Sequence, residues 1–324
     1  AQSDVTGLVT ALAGKASATH PHAQADVTGL AAALASLRRR PWVNRSTLTA
    51  RSKIADATVA TLGAEATTST LARWWRASDV SSSSVAVVTG LFTYSCGGDI
   101  TIMGTASTTL KQSVRANALT DASQPGAGRP LRVSFMVDAA ACELVFRSGL
   151  VGFRVWVDDV LITTTPTTTS VTGGIIYYPL TFANSRPRRI DVDLTSGQWA
   201  GVTTAETGQV WPAPIRGPRC IVIGDSFTEG SGGNGVHTGW VRAMAAALGW
   251  DDVWASGLGG TGYVNPGPGG RTNFAGRISA DVISRAPDVV IIAGGMNDYA
   301  YASASALGAA AGSLYDTIQA GLPN

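Results

Sequence analysis

Hydrophobic and polar positions change period several times along this chain, and each change marks a different kind of element. Between about Val85 and Pro218 apolar and polar residues alternate in short runs. Leu131-Arg132-Val133-Ser134-Phe135-Met136-Val137, Gly152-Phe153-Arg154-Val155-Trp156-Val157 and Arg189-Ile190-Asp191-Val192-Asp193-Leu194 are the clearest. A period of two places alternate side chains on one face, so these runs predict half-buried β-strands. Asp158-Asp159 and Gly173-Gly174 supply turn residues, and the Thr-rich tract 163–172 is compatible with strand. Residues 85–218 are therefore expected to form an antiparallel β-sandwich of jelly-roll type.

Beyond Pro212, Pro214 and Pro218 the pattern becomes one of continuous apolar runs separated by helical spacing. Cys220-Ile221-Val222-Ile223, Val253-Trp254-Ala255 and Val289-Val290-Ile291-Ile292-Ala293 read as strands buried on both faces. Trp240, Met244 and Leu248 recur at helical intervals before Gly249. Phe274, Ile278 and Val282 form a second stripe, capped by Asn273 and stopped by Pro287. Leu307, Ala311, Leu314 and Ile318 form a third, closed by Gly321 and Pro323. This alternation predicts a three-layer α/β unit with a parallel sheet over residues 219–324.

Upstream, Asp4-Val5-Thr6-Gly7-Leu8 returns as Asp26-Val27-Thr28-Gly29-Leu30, each copy followed by an Ala/Leu stretch. So small a repeat cannot bury a core alone, which makes residues 1–40 an oligomerising segment. Residues 41–84, rich in Thr, Ala and Ser, read as connector. The chain is thus expected to be multidomain. Its first residue, Ala1, suggests a piece of a longer polypeptide.

Composition narrows the functions. A net charge of +2, from 24 basic and 22 acidic residues, is too balanced for a nucleic-acid partner. Arg38-Arg39-Arg40 before Pro41 reads as a solvated junction. No apolar run reaches the ~20 residues of a transmembrane segment. Cys96, Cys142 and Cys220 are widely spaced and suggest neither a disulfide framework nor a cysteine metal site.

The candidate chemistry sits where the three apolar runs end, since ligands of an open parallel sheet bind at the carboxyl ends of its strands. The loops there are Gly224-Asp225-Ser226, Gly257-Leu258-Gly259-Gly260-Thr261-Gly262 and Gly294-Gly295-Met296-Asn297-Asp298. Taken singly, the first could be an ordinary Asx turn and the last a helix cap. Gly257, Gly259 and Gly262 also fit a dinucleotide fingerprint, but Tyr263-Val264-Asn265-Pro266 follows where a helix should open.

Together, in this order, the loops resemble the blocks of the SGNH (GDSL-type) serine hydrolases. The resemblance covers residues 219–324 and implies Ser226 as nucleophile. The Ser226 and Gly260 N–H groups and the Asn297 side-chain amide would form the oxyanion hole, with Asp225 ordering the turn. An uncharged amide suits position 297, where a carboxylate would repel an oxyanion. The family's Asp-x-x-His is absent, so the domain is expected to be incomplete at its C-terminus. His237 reads as a helix-entry or surface residue rather than the base. No cofactor is implied for catalysis.

The N-terminal repeats, with Thr19-His20-Pro21-His22 between them, resemble repeats of bacteriophage tail-fibre and tail-tip proteins over about residues 1–37. This resemblance implies a virion tail protein acting at the host cell surface, with itself as a homotrimer, other tail proteins and a host cell-envelope glycan or lipid as partners. His20 and His22 lie two residues apart and would face the same way on a strand. Three chains around an axis would then offer both to one structural transition metal, the alternative being exposed loop histidines. The functional expectation is a tail-borne serine esterase or deacetylase. A non-catalytic receptor-binding or structural tail protein that keeps the hydrolase fold is the alternative.

Overall fold

A computed structural model describes residues 59–80, 86–96, 100–103, 113–116, 131–147, 152–163, 167–168, 174–194, 197–230 and 239–322. The N-terminal repeats, His20, His22 and His237 lie outside the described residues. All of the described chain belongs to one compact unit, residues 47–323.

Two antiparallel sheets precede the α/β part in the chain. One runs Thr61–Leu62, Ile175–Thr181, Ala141–Arg147, Gln198–Thr204, Ser113–Ala116, Ile100–Met103, with Arg73–Arg76 also paired to Gln198–Thr204. The other runs Val160–Leu161, Gly152–Val157, Pro187–Leu194, Leu131–Asp138, Gln209–Pro212, with Thr167–Thr168 and Thr93–Ser95 at its sides. Their inner faces share one core, in which Val133, Phe135 and Val137 of the second sheet meet Leu144, Phe146 and Trp199 of the first. Trp199 is in ring contact with Phe135, Phe146 and Phe92. Burial of each such side chain contributes about 1.5–3 kcal/mol, so the alternating pattern of the sequence is what drives the packing. Asp158 and Asp159, at φ of 49° and 69°, make the tight turn between Gly152–Val157 and Val160–Leu161, a geometry that suits a two-residue hairpin.

The expectation of half-buried strands needs correction in the second sheet, where Gly152–Val157 is buried at all six positions. The face that alternation marks as polar carries Arg132, Arg154, Asp191 and Asp193, and these residues are also buried. That face is covered by the α/β part. Arg132 and Arg242 both donate to Asp193, at 2.7 and 3.1 Å, and Arg189 donates to Asp251 at 3.0 Å. Charges become tolerable out of water only when paired and hydrogen-bonded in this way.

In the first sheet Glu143 plays a similar part. Its buried carboxylate accepts from the Ser69 and Thr203 hydroxyls, each at 2.5 Å, and from the Thr70 N–H and hydroxyl at 3.0 and 2.8 Å. Burial alone would raise its pKa, but these donors outweigh burial and hold it below the ordinary glutamate value. The stabilisation is therefore complete above the ordinary glutamate range and is lost as pH falls through the lower folded value. Glu143→Gln is expected to cost about 2 kcal/mol at neutral pH. Urea unfolding at pH 7 and pH 3 should show the gap between variant and wild type closing in acid. A gap independent of pH would refute the charge-based account.

The α/β part holds the parallel sheet: β1 (Cys220–Gly224) lies between β2 (Val253–Gly257) and β3 (Val289–Ala293). Helices are α1 (Ser226–Glu229), α2 (Trp240–Leu248), α3 (Phe274–Asp281) and α4 (Ala304–Gly321). Alternate residues of β1 serve opposite faces. Ile221 and Ile223 pack with Phe274, Ile278 and Leu314 of α3 and α4, whereas Cys220 and Val222 pack with Val241 and Ala245 of α2. Three layers result, as the strand–helix alternation predicts. On α2 the buried residues are Val241, Arg242, Ala245 and Ala246, while Trp240 is exposed. The stripe expected through Trp240, Met244 and Leu248 is thus rotated by about one residue, because the helix also turns Arg242 toward Asp193 of the sandwich.

Candidate active site

The register of the parallel sheet brings the candidate loops together. Gly224 pairs with Gly257 on one side and Ala293 on the other, so all three strands end level and their loops leave the same edge. Ser226 is the first residue of α1, and Asp225 is its N-cap, accepting the Phe227 N–H at 2.9 Å. Asp225 thus orders the turn. Residues 224 and 257 are glycine for want of space. A Cβ on Gly224 would lie 2.0 Å from the Thr228 hydroxyl, and one on Gly257 would lie 2.0 Å from the Glu229 nitrogen.

Gly260 sits at φ +77°, and a Cβ there would come within 2.9 Å of Pro268 Cδ, so backbone conformation and packing both require glycine. Among the described residues no acceptor takes the N–H of Ser226 or of Gly260. For Ser226 this is the ordinary consequence of standing at a helix N-terminus. Asn297, half-buried, donates from its side-chain amide to the Thr261 carbonyl at 2.9 Å, and the Asn265 amide donates to the Asn297 carbonyl at 2.9 Å. The second and third loops are therefore laced to one another beside the Ser226 turn.

Several residues that the motifs left without a role hold this arrangement. Asp298, fully buried, accepts the N–H groups of Tyr263, Val264 and Asn265 at 2.8–2.9 Å, and Gly262 must be glycine because a Cβ would collide with that carboxylate. Burial and a hydrogen bond with Tyr315 push the neighbouring Tyr263 hydroxyl well above its usual pKa, so it remains a neutral phenol. Arg277 donates to the carbonyls of Gly224 and Ser256 and to Asp281, bracing the end of β1 from beneath. Only the adjacency of Asp298 to Asn297 was visible in the sequence. The Arg277–Asp281 pair has the i,i+4 spacing of a helix ion pair, but the Gly224 and Ser256 carbonyls that Arg277 also reaches are distant and carry no local signature.

The described residues include no histidine, so none of them offers a histidine base beside Ser226. No cluster of three or more His, Cys, Asp or Glu suited to a metal occurs among them, and the His20/His22 pair falls outside them.

Residues 222–324 match the GDSL-like Lipase/Acylhydrolase family, so the chain carries a GDSL-like domain. A salicylyl-acyltransferase from a tetracycline biosynthetic pathway has a similar fold, at 12% identity and a TM-score of 0.50, covering 71% of this chain and 66% of that one. That share exceeds the family match, so the common fold takes in antiparallel sheet as well as the α/β part. An acetyl xylan esterase from the rumen bacterium Butyrivibrio proteoclasticus aligns at 14% identity and a TM-score of 0.47, over 70% of this chain and 79% of the other. A family two carbohydrate esterase from Cellvibrio japonicus aligns at 19% and 0.45, over 72% and 76%. No curated protein matches the chain. The tail-protein resemblance of residues 1–37 has no counterpart among these comparisons.

Proposed function

We propose that the chain is a serine ester hydrolase in which Ser226 attacks the acyl carbonyl of its substrate. The observation that carries this reading is the pair of N–H groups, on Ser226 and Gly260, that meet no acceptor among the described residues at the edge where three strands end level. In the first step the Ser226 hydroxyl adds to the ester carbonyl, its proton passing to a base, and the carbonyl oxygen gains negative charge that the N–H groups and Asn297 stabilise. Collapse expels the alcohol and leaves an acyl-serine, which water hydrolyses to acid and free enzyme.

The finer reading is an esterase or deacetylase acting on a cell-envelope glycan or lipid ester and carried on a trimeric virion tail. The repeats of residues 1–37 support the tail. The exposed Phe227, Met296 and Tyr299 beside Ser226 and Asn297 support a substrate with an apolar face, such as a sugar ring or an acyl chain. Light scattering of the intact protein tests the trimer, and a stable monomer would remove it. Metal analysis of purified trimer tests the His20/His22 pair, with less than one ion per three chains counting against it.

For the hydrolase itself, a fluorophosphonate probe should label the protein at Ser226, as mapped by peptide mass spectrometry. Absence of labelling would favour the non-catalytic binding protein. Asn297→Ala should lower kcat by about 10²–10³, the usual effect of removing one oxyanion donor. An unchanged kcat would take Asn297 out of the oxyanion hole.

A further inference from the structure

Deepening the hydrolase reading, on which it rests, we propose that Arg271 and Glu229 are positioning residues that aim the Gly260 N–H at the oxyanion by clamping the peptide groups on either side of Gly259. A trans peptide is planar, so the Gly259 carbonyl and the Gly260 N–H belong to one rigid plate and point in opposite directions. Arg271 donates from Nη1 to that carbonyl. Holding the carbonyl therefore fixes the direction of the N–H.

The preceding plate is held as well. The Gly259 N–H donates to Glu229 Oε2 at 2.8 Å, while the Leu258 carbonyl accepts from the Thr261 hydroxyl at 2.7 Å and from its N–H at 3.3 Å. The Leu258 N–H in turn donates to the Gly224 carbonyl at 3.0 Å. Every backbone polar group from the Leu258 nitrogen to the Gly259 oxygen is thus engaged, and the next, the Gly260 N–H, has no acceptor among the described residues.

The plate needs this restraint. It joins two glycines, the residues with the widest conformational choice, and Gly260 already sits at φ +77°. A rotated plate would present a carbonyl oxygen where the oxyanion forms, replacing attraction by repulsion. The guanidinium opposes that rotation, and by polarising the carbonyl it also strengthens the N–H as a donor. Glu229 ties the clamp to the nucleophile because it lies on α1, three residues after Ser226, and a Cβ on Gly259 would fall 3.5 Å from Ser226 Cβ.

The test uses the full chain with p-nitrophenyl acetate and the variants Arg271→Gln, Arg271→Lys and Glu229→Gln, together with crystal structures of wild type and Arg271→Gln. Arg271→Gln should lower kcat by about 10–100-fold, part of the value of one oxyanion donor, with KM within about twofold. Arg271→Lys should recover much of the loss, Glu229→Gln should show a smaller fall, and the Gly259–Gly260 peptide should be rotated in the Arg271→Gln crystal. An unmoved peptide, or an effect on KM alone, overturns the proposal and makes Arg271 a substrate contact or a structural residue. Equal hydrolysis by wild type and Ser226→Ala would instead defeat the hydrolase reading, and the crystal structures would still decide whether Arg271 sets the peptide. If Arg271→Gln fails to fold, Arg271→Lys and Glu229→Gln carry the same kinetic and structural comparison.

Discussion

Replacing Ser226 by alanine is expected to abolish ester hydrolysis while leaving the fold untouched. The serine hydroxyl makes no hydrogen bond to the described residues, and the turn is fixed by Asp225 and by the contact of Thr228 with Gly224, neither of which needs the hydroxyl. The melting temperature of Ser226→Ala should therefore equal that of the wild type. Turnover of p-nitrophenyl acetate should fall by at least about a thousandfold, since an oxyanion hole without a nucleophile retains only residual catalysis. Turnover that survives the substitution would mean that another group attacks the ester.

The second large effect concerns stability. Asp193 is buried and accepts from Arg132 at 2.7 and 2.8 Å, from Arg242 at 3.1 Å and from the Trp156 indole at 3.1 Å. Asp193→Ala would leave two buried guanidinium groups short of their shared counter-charge. Among the described residues, the ion-pair partner left to Arg132 would be the more distant Asp251 carboxylate, at 3.6 Å. Breaking a buried ion pair from one side costs about 3–5 kcal/mol, which for a unit of this size lowers Tm by roughly 10 °C. Asp193→Asn should fall between, because its amide oxygen can still accept at one position while the charge is gone and its NH₂ faces donors at the other. Calorimetry of the three proteins settles it, and a Tm within about 2 °C of wild type for the alanine variant would show that the network contributes little.

Much of the α/β part was legible in the sequence because its signals are local. Val289–Ala293 is a strand, as its continuous apolar run indicates, though half-buried along its length rather than buried on both faces. Asn273 does cap α3 by accepting the Gly276 N–H, and each strand runs into its glycine-bearing loop. What stayed hidden depends on partners far along the chain. The polar residues of the second antiparallel sheet read as a solvated face, because nothing in Arg132-Val133-Ser134 announces that Arg242 will arrive from a helix more than a hundred residues later. The same blindness hid Arg271, whose target is the carbonyl of a glycine across a loop. Glycine at 260 was legible as a residue type, but its left-handed backbone conformation and the crowding by Pro268 were not.

Cys96, Cys142 and Cys220 are all buried and unpaired, and burial pushes the thiols of Cys142 and Cys220 up to about 12. In the native protein they are therefore protonated and shielded from alkylating reagents. They are also distributed over the architecture: Cys142 lies in the first antiparallel sheet, Cys220 in the central parallel strand, and Cys96 where the sandwich meets Asp251 and Asp252 of the α/β part. A maleimide added during gradual denaturation would then act as a built-in clock for loss of structure. Simultaneous modification of all three would mean that the sandwich and the hydrolase-like part melt as one body, whereas early modification of Cys96 would mean that they separate before either unfolds.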